Sequence, residues 1–112
     1  MDIADLRPTL PRHPTATWKA RTAPPDCIVI HHSVTGPYYP IASIANYHIS
    51  RGYAGIAYHY VIDAGGRVSQ CNDNMAFTWH GHDANSGIGI CLLGDFTTTP
   101  PPPAQLDAAV SS

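Results

Sequence analysis

Two apolar runs constrain this chain more than any other feature. CIVIHH, residues 27–32, and IGICLL, residues 88–93, are continuous instead of alternating. A strand reads that way when its sheet is covered on both faces. Such a sheet needs helices, and the sequence offers one between the two runs. Ile41, Ile44, Ala45 and His48 fall at i, i+3, i+4 and i+7, one helical face. Pro40 is placed to open that helix, and Gly52 can take the left-handed conformation that ends it. AYHYVID, residues 57–63, alternates: Tyr58, Tyr60 and Ile62 fall on one side, His59, Val61 and Asp63 on the other. Gly65 and Gly66 can turn this strand back into RVSQC as a hairpin. After the stiff TTTPPPP stretch, PAQLDAAV starts a second helix with Leu106, Ala109 and Val110 as its apolar stripe. The expectation is an α/β fold, a mixed central β-sheet flanked by helices, with both apolar runs as buried strands.

A chain of 112 residues is one domain. Its first 26 residues carry Pro8, Pro11, Pro14, Pro24 and Pro25, which withhold backbone donors. Residues 1–26 therefore read as an extended arm over the surface, and residues 27–112 as the domain. A formal charge of −2 without any Lys/Arg run gives no footprint for a nucleic acid or an anionic membrane, so neither is expected as a partner. No apolar stretch approaches the roughly 20 residues of a membrane span, and MDIADLRPTLPR has no signal-peptide core. The expectation is a soluble chain, not exported by its own signal. Cys27, Cys71 and Cys91 are odd in number and far apart, which argues against a disulfide framework or a zinc knuckle. The seven histidines are the chemically informative excess.

His31 ends the first apolar run, where an open α/β sheet presents side chains to a crevice. Read from the residues alone, it is either a metal ligand or a strand-end histidine bonded to a neighbour. His32 points to the other side of an extended strand, as groove wall or outer support. Tyr58 reads as a strand aromatic, His59 as a buried structural histidine and Cys91 as a small core residue. Asn85 and Ser86 look like turn residues, with Asn85 a candidate substrate contact. His82 reads as a loop histidine. No G-x-S-x-G elbow is present, and Asp63, Asp73, Asp83 and Asp95 sit where turns expect aspartate.

The pieces DLRPTLPRHP, IVIHHSVTG, IANYHISRGYAGIAYHYVID, GGRV, TWH followed by NSGIGICLLGDF, and TPPPPAQLDAAV resemble, in this order, the type 2 N-acetylmuramoyl-L-alanine amidases. That family includes peptidoglycan recognition proteins and bacteriophage zinc amidases. The resemblance implies a zinc ion in a groove that holds the glycan and its stem peptide. It also implies hydrolysis of the amide between N-acetylmuramic acid and L-alanine. On this resemblance His31 is a zinc ligand, Tyr58 a catalytic residue beside the zinc-bound water, and Trp79 and His80 groove residues that contact the muramyl peptide. His32 and Asn85 complete the expected substrate contacts. The family's other ligands, a histidine and a cysteine or aspartate, come from a segment after the last helix with no counterpart here, so the fold is expected to be C-terminally shortened. Two rivals follow: a module that only binds peptidoglycan, and a split amidase whose ligands are completed by another chain. A short last helix is also expected to leave an apolar sheet face exposed, which favours a homo-oligomer.

Overall fold

The computed structural model describes residues 2–81 and 84–111. Its elements run β1 (Ile3–Asp5), β2 (Lys19–Ala20), β3 (Ile28–His32), α1 (Ile41–Ser50), β4 (Tyr60–Ile62), β5 (Val68–Gln70), β6 (Ala76–Phe77), β7 (Ile88–Leu92) and α2 (Pro103–Ser111). Five strands form the main sheet in the order β1-β5-β4-β7-β3, and β2 pairs with β6 in a separate ribbon. Only the β4–β5 hairpin in the main sheet is antiparallel. The expected mixed sheet with flanking helices is what the chain forms.

IGICL is an interior strand between β4 and β3, and all five of its residues are buried. CIVIHH is not its equal. β3 lies at the sheet edge, and Ile28 and Ile30 are 58% and 54% exposed, while Val29 and His31 are half-buried. The run is apolar on both faces, but only one face is covered. Helix α1 covers the side of Val61, Cys71, Cys91 and Leu93 with Ile44 and Ala45. Helix α2 covers only part of the other side, around Ile62, Val68, Ile90 and Leu92.

The second helix is rotated from its expected stripe. Gln105 and Ala108 are buried and Ala109 is half-buried, whereas Leu106 and Val110 are exposed. The cause is a hydrogen-bond demand beneath it: Gln105 Nε2 donates to Ile62 O at 2.8 Å and Leu93 O at 3.0 Å. Two buried carbonyls thus set the rotation of this short helix.

The N-terminal arm is built into the fold instead of lying over it. β1 is a parallel edge strand on β5, and β2 pairs Lys19 with Phe77 and Ala20 with Ala76. Its prolines stand clear of both short strands. Arg21 follows β2 into the interior, 8% exposed, and donates to the carbonyls of Asn74, Ser86 and Gly87 at 2.6, 2.8 and 2.9 Å. All three cysteines are free. Among the described residues no helix is long and apolar enough to cross a membrane.

Candidate functional site

Register decides which side chains share the α1 face. His31 pairs with Cys91, and Cys91 with Val61, so these three residues lie side by side on that face. His32 is sent to the opposite one. There it stacks on Phe96 at 6.0 Å and accepts the Phe96 backbone N–H at 3.1 Å. His32 therefore stands apart from the cluster around His31, and an extended backbone leaves it no other choice.

Tyr58 reaches the His31 side because the strand begins later than its alternation suggests. Residues 57–59 precede β4, so Tyr58 does not share a face with Tyr60. Tyr58 packs on the cluster of Val61 and Cys91, while Tyr60 packs on that of Ile62. The Tyr58 ring lies 5.5 Å from His31 and 5.6 Å from His48. Burial, and then the neighbouring Cys91 thiol, push its phenol well above the usual range. It stays protonated at neutral pH.

His80 completes the centre. Its Nδ1 lies 3.0 Å from His31 Nε2, and its own Nε2 donates to Gly87 O at 2.9 Å. Two glycines make room for this pair: a Cβ on Gly89 would stand 2.6 Å from His80 Cγ, and one on Gly81 would stand 3.1 Å from His31 Cε1. Burial lowers the pKa of both imidazoles, and His80 lowers that of His31 further. Both rings are neutral near pH 7. His59 lies beneath His80, with ring centroids 5.7 Å apart, and is fully buried; burial takes its pKa down to about 4.

A groove of about 310 Å³ opens beside Tyr58, lined by Ser33, Thr35, Tyr39, Ser43, Ile44, Tyr47 and His48. Its polar rim is held by the loop after β3, where Gly94 N donates to Ser33 Oγ at 3.0 Å and Ser33 Oγ meets Thr35 Oγ1 at 2.6 Å. Val34 between them has φ 56°, a left-handed conformation that costs a β-branched residue on the order of 1–3 kcal/mol. Two other hollows are larger, about 550 and 440 Å³, but neither is lined by a histidine. In the first, Arg7 is held by Asp5 and Asp73, and Arg12 by Asn72 Oδ1 and Cys71 O.

Trp79 stands at the edge of the cluster, 52% exposed and braced edge-on by Trp18 and Tyr53, each at 5.3 Å. Tyr53 is placed by the end of α1. Gly52 at φ 90° lets Tyr53 N reach His48 O at 3.0 Å and Gly52 N reach Ile49 O at 3.0 Å, the paired bonds of a Schellman ending. Asn85 is spent inside the loop: its Oδ1 accepts the Gly81 N–H at 2.8 Å, in keeping with its reading as a turn residue. His82 and Asp83 lie outside the described residues.

Of the expected site residues, His31, Tyr58 and His80 come together and Trp79 lies at their margin. His48, Tyr53, Trp18 and Arg21 were not expected there. His48 was visible only as the last member of the α1 stripe. Tyr53 follows from the Gly52 ending of α1, whereas Trp18 and Arg21 carry no local signal, since their partners are distant in sequence. Among the described residues no group of three His, Cys, Asp or Glu side chains could hold a metal ion.

The family model described as N-acetylmuramoyl-L-alanine amidase matches residues 21–111. The chain is 38% identical over 101 residues to peptidoglycan-recognition protein 1 of Holotrichia diomphalia, covering 77% of this chain and 48% of that protein. It is 36% identical over 73 residues to the endolysin of Escherichia phage T7, covering 62% of this chain and 48% of that one. The chain thus spans about half the length of these curated relatives. Among solved structures, Drosophila peptidoglycan recognition protein SD superposes with a TM-score of 0.86 at 21% identity, covering 98% of this chain and 70% of that one. The endolysin amidase LysCS of Clostridium intestinale superposes at 0.78 with 25% identity, covering 98% and 69%.

Proposed function

The chain belongs to the N-acetylmuramoyl-L-alanine amidase family, and on that premise we propose that its groove binds the muramyl peptide of peptidoglycan and that His31 and Tyr58 serve zinc-dependent cleavage of the amide between N-acetylmuramic acid and L-alanine. The observation that carries this reading is the convergence of His31 and His80 on Tyr58, which lines an open groove. A relative of the same fold, peptidoglycan recognition protein LE, is known in complex with tracheal cytotoxin, a monomeric diaminopimelic acid-type peptidoglycan. That supports a muropeptide as ligand.

The donors fit zinc in part. A neutral imidazole whose second nitrogen is hydrogen-bonded is what a zinc ligand requires, and His31 meets that description. The two further protein donors of a catalytic site are not among the described residues. Zinc, when bound, would polarise the amide carbonyl and activate a water. Tyr58 keeps its proton and lies one ring away from His31, where a hydroxyl can hydrogen-bond developing negative charge or orient water. Trp79 offers an exposed ring face to a sugar.

Binding without cleavage is the second reading, and the peptidoglycan recognition proteins among the relatives of this fold support it. Incubation with purified muropeptides and stoichiometric zinc, followed by mass spectrometry, separates the two. Released stem peptide establishes the amidase. Saturable binding with no release establishes a recognition module. Neither binding nor release would remove peptidoglycan as the ligand.

A further inference from the structure

The hollow of about 440 Å³ between the N-terminal arm and the start of α1 lies on a covered side of the sheet, yet a hydroxyl forms part of its floor. Ser69 pairs with Val61, whose side chain belongs to the cluster beneath α1, so Ser69 faces the same side. It is 4% exposed and lines the hollow, and its Oγ has no hydrogen-bond partner among the described residues. The walls around it are apolar: Leu6 and Leu10 from the arm, Ile41 from α1, and Leu93 just after β7. A hydroxyl enclosed in this way costs stability until a polar atom reaches it.

The same hollow is supplied with donors. Helix α1 opens at Pro40 with no side-chain cap and no acidic residue in its first turn. Ile41 and Ala42 line the hollow, and their N–H groups meet no acceptor among the described residues. A helix start left open in this way attracts negative charge. Arg67, from the β4–β5 hairpin, adds a guanidinium without an ion-pair partner among the described residues. The carboxylate that lines the hollow, Asp63, is committed to its own hairpin, where Oδ1 accepts the Gly65 and Arg67 N–H groups at 2.9 and 3.0 Å. We propose that this hollow binds a small aliphatic carboxylate, whether a free acid or the C-terminus of a short peptide. The carboxylate bridges the open N–H groups of α1 and the Ser69 hydroxyl, and the aliphatic body fills the space between Leu6, Leu10, Ile41 and Leu93. The volume is of the size that small-molecule sites have. The hollow shares Tyr39 alone with the groove beside Tyr58, and its ligand does not rest on the function proposed for that groove.

Titration of the ¹⁵N-labelled protein with isovalerate at constant ionic strength, followed by ¹H–¹⁵N correlation spectra, tests this. The Ile41 and Ala42 amides are expected to move together and saturate. Isovaleramide, the same body without the charge, should bind about 10-fold more weakly. N-acetyl-leucine presents the acid as a peptide end: tighter binding than isovalerate assigns the hollow to a peptide C-terminus, and weaker binding assigns it to a free acid. Ser69→Ala, which removes one oxygen from a buried strand position, should lower isovalerate affinity about 10-fold, the loss of one hydrogen bond to a charged acceptor. The proposal is overturned if isovalerate leaves both amides unmoved, if isovaleramide or sulfate moves them equally at the same concentration, or if a folded Ser69→Ala binds as tightly as the wild type. The arms on the wild-type protein decide the matter whether or not the variant folds.

Discussion

Mild acid should destabilise this protein before its carboxylates titrate, and His59 sets the scale. Its ring is fully buried, with Nδ1 and Nε2 both committed to backbone groups. Its pKa falls from 6.5 to about 4. A lowered folded-state pKa means that the unfolded chain takes up the proton first. The stabilisation is complete above pH 6.5 and is lost as the pH drops toward 4. A shift of this size corresponds to about 3 kcal/mol across the window, of which about 2 kcal/mol is gone by pH 5. His31, His48 and His80 are lowered as well and act in the same sense. Asp5, held near 2 by its hydrogen bonds to Arg7, enters only below its ordinary value of 3.8. Urea unfolding followed by tryptophan fluorescence should therefore show a midpoint about 1–2 M lower at pH 5 than at pH 7. Equal midpoints at the two pH values would refute the reasoning, and so would a ring titration of His59 in the folded protein centred near 6.5.

Gly89→Ala should destabilise by about 1–3 kcal/mol, since its Cβ collides with a His80 ring anchored at both nitrogens; chemical denaturation measures it. Gln105→Ala should cost about 2–4 kcal/mol by stranding the carbonyls of Ile62 and Leu93, and a thermal melt would show it. Val34→Gly should relieve left-handed strain and stabilise by up to about 1 kcal/mol, with the same melt as readout. Trp79→Ala should weaken peptidoglycan pull-down several-fold while circular dichroism stays native, as expected for loss of about 0.5–1.5 kcal/mol of ring stacking.

The sequence was legible where local pattern and tertiary demand agree. The α1 face, the Gly65–Gly66 hairpin and the buried IGICL strand each follow from periodicity or turn chemistry, and each appears as expected. It was misleading where a partner remote in sequence decides. Ile28 and Ile30 have the apolarity of a central strand, yet β3 has a neighbour on one side only. Gln105 displaced Leu106 from the interior because hydrogen-bond satisfaction outranked hydropathy in a helix this short. At the site, His31 could be placed from its strand-end position and Tyr58 from the resemblance. Tyr58 nevertheless faces the groove through a break in alternation that no period of two could predict. The bracing of Trp79 by Trp18, and of the loop by Arg21, joins positions about 60 residues apart and leaves no periodic trace.

Arg21 also bears on how the site is reached during folding. Its donors close loops of 53 to 66 residues, so none of these bonds can form until the β4–β7 region is already assembled. The segment around His80 should accordingly settle late, from a precursor in which the sheet and α1 are already native. In the native state the same dependence runs backwards. Detachment of the first 21 residues would release β1, β2 and the carbonyls of residues 85–87 in one step, and the amides of Leu6, His13 and Arg21, which donate to Gln70 O, Ala54 O and Met75 O, should become labile to deuterium together.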